Sequence, residues 1–548
     1  MEYLLKRQIN MRFCAVIMVM MCFLSSCTME TTGPQEYIGP AVRVPEPNAQ
    51  AQAVKETQIP KGQEANIPKT GPLSVTINEA VFMSLARNKS LIVQKLNPQI
   101  QSTFEEQAIS VFDPNLRASF SDSRINAKTV PRPGLGSFSS LSKEFDADVS
   151  LNQFLPMGTI LSLDGSTSDL TGSFLNEPFV SSRVGGSLTQ PLLRGFGSAV
   201  NLVSVNQARI DTKISQYELR GFVEALVAEV ENTYWNYLLV EKDVGIFKES
   251  LKIAEDQQKE TEEMIRVGKT AASELVTAKA EVALRREELI AAENTAIQTR
   301  LNLLKLLNPD GAEMWEMEIV LQSKPEETLI ETGPVQSYVE TAMRMRPEMN
   351  QAKLQLERNE LELVRTRNGL LPELDFFITL GSTGYASTFN RSVKDIFTGD
   401  YDILTGVSFG ISPINREARA QHSRAMLSRQ QAEEAINNLA QTVEVDVRGT
   451  YLQIMSARQQ VEAAKASREL QEEKLKIETA KFKVGKSIML LVAQAQRDFL
   501  QSQIAEIQAI INYQVAVVEF YRLEGTLLLR RGIASPGSEP VISKTAAK

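Results

Sequence analysis

The sequence predicts an α+β protein in which a group of β-strands is followed by long, paired α-helices, and in which this order occurs twice. Short segments of alternating apolar and polar residues lie between Pro114 and Pro191, most clearly at Phe145–Leu151. From Ser198 to Leu307 no proline occurs, and apolar residues recur in steps of three and four. A period of two is typical of strands, and heptad spacing is typical of coiled-coil helices.

The composition excludes several classes of function. The formal net charge is −8, so no basic field is available to bind nucleic acid. The chain has one histidine, His422, which excludes metal sites and catalytic dyads that need two. Its three cysteines lie at positions 14, 22 and 27, so disulfides, zinc clusters and cysteine nucleophiles are excluded from the body. We therefore expect no enzymatic activity, no cofactor and no bound metal.

Residues 1–26 are interpreted as a lipoprotein signal peptide. Basic residues precede the apolar run Phe13–Leu24, which is too short to span a bilayer. The run ends in Leu-Ser-Ser-Cys, which resembles the lipobox of bacterial lipoproteins. That resemblance implies cleavage before Cys27 and acylation of this cysteine, palmitate included, and Thr28 implies sorting to the outer membrane. An ordinary signal peptide with a chance cysteine remains an alternative to the lipoprotein signal. Translation could also start at Met11, which would leave the basic residue Arg12 before the apolar run.

Four alternating segments follow a proline-rich, lipid-anchored linker at 27–72. They are Asn115–Ser123, Phe145–Leu151, Thr159–Asp164 and Ser182–Thr189. The connection at 156–158 is a tight turn, whereas 125–142 and 169–181 are long and rich in Ser, Gly and Pro. The apolar face of such strands is core in a soluble sandwich or faces lipid in an outer-membrane barrel. The order long, short, long fits a barrel, with short turns at one end and long loops at the other.

The helices that follow are long enough to determine the shape of the molecule. About 70 residues from Gly197 to Val267 predict a helix of roughly 100 Å. A second seam of heptad positions, which includes Arg285, continues from Leu275 to Leu306. We predict two such helices joined by a turn at Val267-Gly268.

Similar segments in the two halves of the sequence also predict an internal twofold repeat. Leu91–Leu116 is similar to Met349–Leu374 at an offset of 258, and Arg266–Thr270 is similar to Lys483–Ser487 at an offset of 217. The predicted first repeat is 73–308, with strands at about 115–190 and long helices at 198–307. The second is 337–530, with strands at about 373–411, one long loop at 382–401 and long helices at 415–528. A connector at 309–336 joins the repeats, and a flexible tail occupies 531–548.

The order of these parts resembles the outer-membrane factors, the TolC-like efflux and secretion channels, over about residues 74–530. The most specific pieces are Leu188–Gly197, where strand meets helix, the two Val-Gly turns, and Leu523–Leu527 near the end. The resemblance implies a homotrimer whose strands close one β-barrel in the Gram-negative outer membrane. It also implies a periplasmic coiled-coil tunnel that docks to a membrane-fusion adaptor and to an inner-membrane RND or ABC transporter.

The resemblance implies roles for particular residues as well. Val267, Gly268, Val484 and Gly485 would contact the adaptor at the helical tips, with Lys269 and Lys486 beside them. The candidates for the periplasmic entrance are Glu274, Leu491 and Gln494. The last two stand where better-known members carry aspartates, so the entrance could hold a mixed ring of charges. The lysines could equally be solvated tip residues.

A second departure concerns the number of strands. Better-known members supply two strands per half, whereas this chain predicts four plus two, which gives eighteen in a trimer. The middle pair, 145–168, could instead extend outside the membrane. The function expected from the resemblance is a passive export duct. The alternative is a periplasmic coiled-coil lipoprotein tether without a channel, which leaves the duplicated order of strands and helices unexplained.

Overall fold

The computed structural model describes residues 72–129, 138–172, 177–268, 271–309, 314–325, 333–398, 400–484, 486–537 and 539–541. The predicted signal peptide, Cys27 and nearly all of the linker lie outside these residues, as do Lys269 and Gly485. Among the described residues, no helix combines the length and the apolar composition needed to cross a membrane.

Six of the eight described strands form one continuous antiparallel sheet. These strands are β2 (Asn115–Thr129), β3 (Phe138–Phe154), β4 (Ile160–Gly172), β5 (Phe179–Pro191), β7 (Glu373–Ala386) and β8 (Asp400–Gly410), and they pair in the order β2-β3-β4-β5-β7-β8. The middle pair, β3 and β4, therefore lies inside the sheet between β2 and β5. The turn at 156–158 is tight as predicted, with Gly158 at φ +95° and its N–H donated to the carbonyl of Leu155.

The strands are longer than the alternating segments that predict them. β2 pairs with β3 from Asn115–Asn152 to Thr129–Phe138, which includes most of the loop predicted at 125–142. β4 and β5 likewise extend into the loop predicted at 169–181. Backbone pairing thus continues beyond the apolar stretch, because each added pair satisfies backbone groups whatever the side chains are.

The loop predicted at 382–401 also contains regular structure. β7 continues to Ala386, and a short helix, Phe389–Ile396, follows before β8. This helix packs on β5 and β7.

Two helical hairpins make up most of the remainder. Three short helices precede the six-stranded sheet: α1 (Ile77–Arg87), α2 (Lys89–Gln94) and α3 (Leu96–Ile109). The first hairpin consists of α4 (Ser198–Asn201), α5 (Val203–Arg266) and α6 (Ser273–Leu307). In the second half are α7 (Val335–Met345), α8 (Pro347–Asn368), α9 (Phe389–Ile396), α10 (Arg416–Lys483), α11 (Met489–Glu524) and α12 (Leu527–Arg530). The 64 residues of α5 and the 68 of α10 correspond to about 96 and 102 Å.

The core lies in the middle of these helices, where the hairpins meet the short N-terminal elements. Tyr234 of α5 and Leu303 and Leu307 of α6 have no exposed surface. The second hairpin has its own cluster around Val443, Val447 and Phe520.

A small parallel sheet includes part of the predicted connector. β1 (Leu73–Val75) pairs with β6 (Ile319–Leu321) inside the segment 309–336. The hydroxyl of Tyr234 donates to the carbonyl of Val75 at 3.1 Å and accepts from the N–H of Ser323 at 3.0 Å. The connector thus holds β1 against α5. Local sequence patterns cannot reveal this contact, because the paired residues of β1 and β6 are 246 positions apart.

The C-terminal segment is packed along much of its length, where the sequence predicted a flexible tail. Arg531 forms a bidentate ion pair with the fully buried Glu231, at 2.7 Å for both bonds. The Tyr217 hydroxyl donates to the carbonyl of Glu539, and the N–H of Val541 donates to Asn350 at 2.8 Å. The described part of 531–541 therefore follows α5 from Glu231 to Tyr217 and reaches α8 at Asn350.

Candidate functional site

The predicted helical tips are tight reversals at one end of each hairpin. α5 ends at Arg266, Val267 caps it, and Gly268 has φ +72°, a conformation that glycine adopts without steric cost. At the second tip α10 ends at Lys483, Val484 caps it, and α11 begins at Met489. The described residues of the two Val-Gly pairs, Val267, Gly268 and Val484, lie in these reversals, which the sequence predicts as turns.

Each tip exposes apolar side chains. Val267 is 60% exposed and Val484 is 68% exposed. Further exposed apolar residues close to the tips are Val276, Ile488, Leu490 and Leu491. Clustered exposed apolar residues on an otherwise charged surface are typical of a protein interface.

The three predicted entrance residues lie in the first turns after the tips. Glu274 is half-buried in the first turn of α6, where a carboxylate interacts favourably with the helix N-terminus. Leu491 and Gln494 are exposed in α11, and Lys486 is exposed at the turn before it. The second tip therefore presents an apolar residue, Leu491, and an amide, Gln494, at the two positions compared above with aspartates of better-known outer-membrane factors.

The six-stranded sheet has two chemically different faces. Paired residues of neighbouring strands point to the same side, and one such row is Arg117, Ser150, Asp164, Gly185, Gly381 and Asp402. We call the side of this row the polar face. The other side, the apolar face, carries exposed large residues that include Leu116, Phe120, Phe145, Val149, Phe376, Ile403, Val407 and Phe409.

An ion pair crosses the polar face. Arg183 of β5 reaches over Gly381 of β7 to Asp402 of β8, with Nη1–Oδ1 and Nη2–Oδ2 distances of 2.5 and 2.8 Å. A Cβ at Gly381 would collide with the Arg183 guanidinium, so a larger residue there would displace the guanidinium from this crossing. The pair links two strands that are not neighbours, which stiffens the sheet.

A sequence model of outer membrane efflux proteins matches residues 115–309 and 339–526, more than half of the chain. The chain belongs to the outer membrane efflux protein family. The two matched segments contain the six-stranded sheet and both helical hairpins. Membership assigns this efflux protein to the outer membrane of a Gram-negative cell and identifies no catalytic chemistry.

Solved structures agree with this efflux protein in fold. A membrane protein from Pseudomonas aeruginosa is 20% identical, with a TM-score of 0.62 over 82% of this chain and 93% of that one. The Campylobacter jejuni CmeC outer membrane channel is 17% identical, with a TM-score of 0.62 over 89% and 94%. The Neisseria gonorrhoeae MtrE outer membrane channel is 16% identical, with a TM-score of 0.59 over 82% and 89%. No curated protein sequence matches the chain.

One charged cluster of this efflux protein joins residues that are far apart in the sequence, so sequence patterns do not reveal it as a cluster. Arg285 donates to Glu281 at 3.0 and 2.5 Å and to Glu288 at 2.7 Å, while Arg497 of α11 donates to the other oxygen of Glu281 at 3.3 Å. The Arg285 side chain is only 3% exposed. A buried guanidinium has to be paired. The signal in the sequence for this cluster is that the charged Arg285 occupies an apolar seam position of the heptad pattern.

The cluster also shows how the tips are arranged. Glu281 and Arg497 each lie roughly two turns beyond the start of their helix, and both helices run away from their tips. The contact between them therefore brings the two tips to the same end of the molecule. The structure thereby collects the exposed valines and the entrance residues at that end.

Proposed function

We propose that three copies of this efflux protein form a passive export channel whose sheets close into one β-barrel in the outer membrane. Six strands from each of three copies would give eighteen, an even number as in bacterial barrels. β2 and β8 are the outer strands of the sheet. Because the sheet is antiparallel throughout, β8 of one copy and β2 of the next run in opposite directions and can pair, which removes both unpaired edges.

The observation that carries this proposal is the separation of the two faces of the sheet. Exposed side chains such as Ile403, Val407 and Phe409 lie on the apolar face. Acidic residues and serines occupy the polar face, for example Asp146, Asp148 and Ser166. A barrel with its apolar face toward lipid and its polar face toward water accounts for both.

The helices then provide the periplasmic part of the channel. Two hairpins from each copy would line a coiled-coil tunnel of about 100 Å, the length of α5 and α10. The predicted twofold repeat would favour such a wall, and the starts of β2 and β7, at positions 115 and 373, are 258 positions apart, as in the predicted offset. α5 and α10 end at 266 and 483, the predicted offset of 217.

The exposed tips are proposed to dock a periplasmic membrane-fusion adaptor, which in turn would connect the channel to an inner-membrane RND or ABC transporter. Val267 and Val484 offer apolar contact area on two neighbouring hairpins of one chain. Gly268 and Gly485 would allow the close approach of the adaptor, with Lys269 and Lys486 at the rim. Glu274, Leu491 and Gln494 would line the periplasmic entrance. Acylation of Cys27 would add a lipid anchor to the same outer membrane.

Imaging of single particles extracted from outer membranes in mild detergent tests the channel directly. A hollow threefold tube with eighteen strands in its barrel is the expected result. Solid monomers or rods without a barrel would refute the channel and would favour the tether alternative.

Substitution of the tip valines tests adaptor docking. The double variant Val267→Asp/Val484→Asp places a charge in the apolar contact of each hairpin, so we expect efflux to fall to the level of the gene deletion. The measurement is accumulation of a fluorescent efflux substrate in cells, with channel abundance checked by blotting. Val445→Asp, on an exposed valine in the middle of α10, is the matched control. Wild-type efflux by the tip variant would refute docking at the tips.

A further inference from the structure

The short helix α9 lies on the apolar face of the sheet, at the end of the strands away from the long helices. Ser182 and Ser382, on which it rests, occupy the same face as Leu380 and Ile403. The helices join the other end, since α8 leads into β7 at Glu373 and β8 leads to α10 from Gly410. In the proposed orientation α9 therefore lies at the outer leaflet.

The helix is fixed to the sheet by specific contacts. The Ser182 and Ser392 hydroxyls are 2.7 Å apart, and the Ser382 hydroxyl donates to the carbonyl of Ile396 at 2.6 Å. A Cβ at Gly384 would lie 2.6 Å from the backbone nitrogen of Ile396, so only glycine permits this approach. Asp395 points inward and accepts from the backbone N–H of Tyr385 at 3.0 Å.

The outward side of α9 combines aromatic and basic residues. Phe389 is 55% exposed, and Phe397, directly after the helix, is 77% exposed. Arg391 and Lys394 are exposed between them. Aromatic rings beside basic side chains are typical of a surface at the boundary between acyl chains and headgroups.

The apolar face is short where α9 covers it. On β7 it runs from Leu374 through Phe376 and Ile378 to Leu380 and then changes to Ser382 and Gly384. Seven residues fall below the roughly 9 to 11 that a spanning strand needs. On β8 the apolar face extends over nine residues, from Tyr401 to Phe409. α9 thus buries small polar positions that would otherwise face lipid, and it presents phenylalanines in their place.

We propose that α9 is an interfacial anchor that binds anionic headgroups of outer-leaflet lipids through their phosphate groups. Phe389 and Phe397 enter the acyl region, and Arg391 and Lys394 pair with headgroup phosphates. The only carboxylate of the helix, Asp395, is held by the sheet and does not neutralise them. This inference rests on the proposed barrel, because the apolar face must meet lipid for α9 to reach headgroups.

Fluorescence quenching in vesicles tests the anchor on the full-length protein. An environment-sensitive nitrobenzoxadiazole label is attached to Asn390→Cys. This position is exposed, and the substitution leaves the proposed lipid contacts Phe389, Arg391, Lys394 and Phe397 intact. Matched labels are placed at Ile403→Cys on the apolar face and at Asp148→Cys on the polar face. Wild-type protein carried through the labelling gives the background.

The vesicles contain equal amounts of phosphatidylcholine and phosphatidylglycerol, with one or the other brominated. We expect the labels at 390 and 403 to be quenched by brominated lipid and the label at 148 by aqueous iodide. Quenching at 390 should be about twofold stronger with brominated phosphatidylglycerol, because two cations enrich anionic lipid locally. In the Arg391→Gln/Lys394→Gln background the two brominated lipids should quench it equally.

Each departure from this pattern has a separate meaning. Iodide quenching at 390 with lipid quenching at 403 overturns the anchor and leaves the barrel in place. Lipid quenching at 390 without a preference for phosphatidylglycerol overturns the binding of anionic headgroups by Arg391 and Lys394. Absence of lipid quenching at 403 overturns the proposed barrel, and the anchor with it.

Discussion

Glu224 is a buried carboxyl in the middle of α5. Its partner Arg220, four residues earlier, donates Nε to it at 3.0 Å, and both side chains are 3% exposed. The guanidinium also donates to the carbonyls of Gly525 and Gly537 at 2.9 and 2.7 Å. Burial raises the pKa of Glu224 to about 7, although Arg220 favours the ionised form and lowers it. Arg220 thus connects three distant segments, and Glu224 determines how this junction responds to pH.

The raised pKa predicts that stability falls as pH rises. Between pH ~4.5 and ~7 the folded protein retains a proton that the unfolded chain has lost, so the free energy of unfolding decreases across this window. The carboxyl should account for a decrease of about 3 kcal/mol. Glu224→Gln, which cannot titrate, should remove this part of the decrease. Thermal unfolding from pH 5 to 8 measures it, and identical pH profiles for variant and wild type would contradict the assignment.

Gly525 ends α11 in the left-handed region, at φ +75°. A Cβ there would lie 3.0 Å from the backbone nitrogen of Arg346 and from the carbonyl carbon of Met345. Gly525→Ala should therefore lower stability by about 1–3 kcal/mol. Gly449→Ala is the control, because its Cβ would meet nothing within 4 Å and α10 is helical there. The control should raise stability by about 0.5–1 kcal/mol, and equal thermal midpoints for the two variants would refute the argument.

The roles of residues that act through distant partners cannot be predicted from local sequence patterns. Val267 and Gly268 could be assigned to a turn because their chemistry acts locally. Arg285, Glu281 and Arg497 are ordinary charges in the sequence, and only the packing of α6 against α11 makes them a buried cluster. The pairing of Arg183 with Asp402 across Gly381 also depends on strand order, which local alternation does not encode.

At the level of elements, the order of strands and helices and the approximate length of the long helices were predictable, whereas the lengths of the strands were not. The predicted order of four strands, a long hairpin, two strands and a second hairpin is the observed one. Sequences rich in serine and glycine around 125–142 and 382–401 were interpreted as loops. The described parts of these segments instead continue as strands and as α9, because backbone pairing and tertiary contacts outweigh local propensity there.

The C-terminal segment is the element whose role was most underestimated. A chain that ends at Ala534 loses the acceptors at Gly537 and Glu539 and the Val541 bond to Asn350. Because this removes an acceptor from the buried Arg220, we expect a loss of about 2 kcal/mol in stability. A chain that ends at Val541 keeps these contacts and is the control. Thermal midpoints measure both, and an unchanged midpoint for the shorter chain would show that the segment contributes nothing.

At the level of the whole molecule, the charge on the polar face should decide which ions pass. Among the described strands this face carries eight acidic residues, Glu144, Asp146, Asp148, Asp164, Glu373, Asp375, Asp400 and Asp402. It carries two basic residues, Arg117 and Arg183. A water-filled pore with this lining would concentrate cations.

We therefore predict that the reconstituted channel prefers potassium to chloride. In Asp146→Asn/Asp148→Asn/Asp164→Asn the permeability ratio should fall by at least about twofold, since three acidic groups are lost from each wall. Asp122→Asn, on the apolar face, should leave it unchanged. Reversal potentials in a salt gradient across a planar bilayer give the ratio. Equal ratios in all three proteins would mean that selectivity lies elsewhere, for example at the helical entrance.

The contacts of the C-terminal segment also constrain the order of assembly. Each helical hairpin and most strand pairs join neighbours along the chain, so they can form while synthesis continues. The bonds from Glu539, Gly537 and Arg531 to α5 connect residues 322, 317 and 300 positions apart. They cannot form before residues 531–541 have been synthesised, so the middle of the fold is less stable until then. A chain destined for another compartment would thereby be easier to keep open, for threading through a narrow translocation pore, while its synthesis continues.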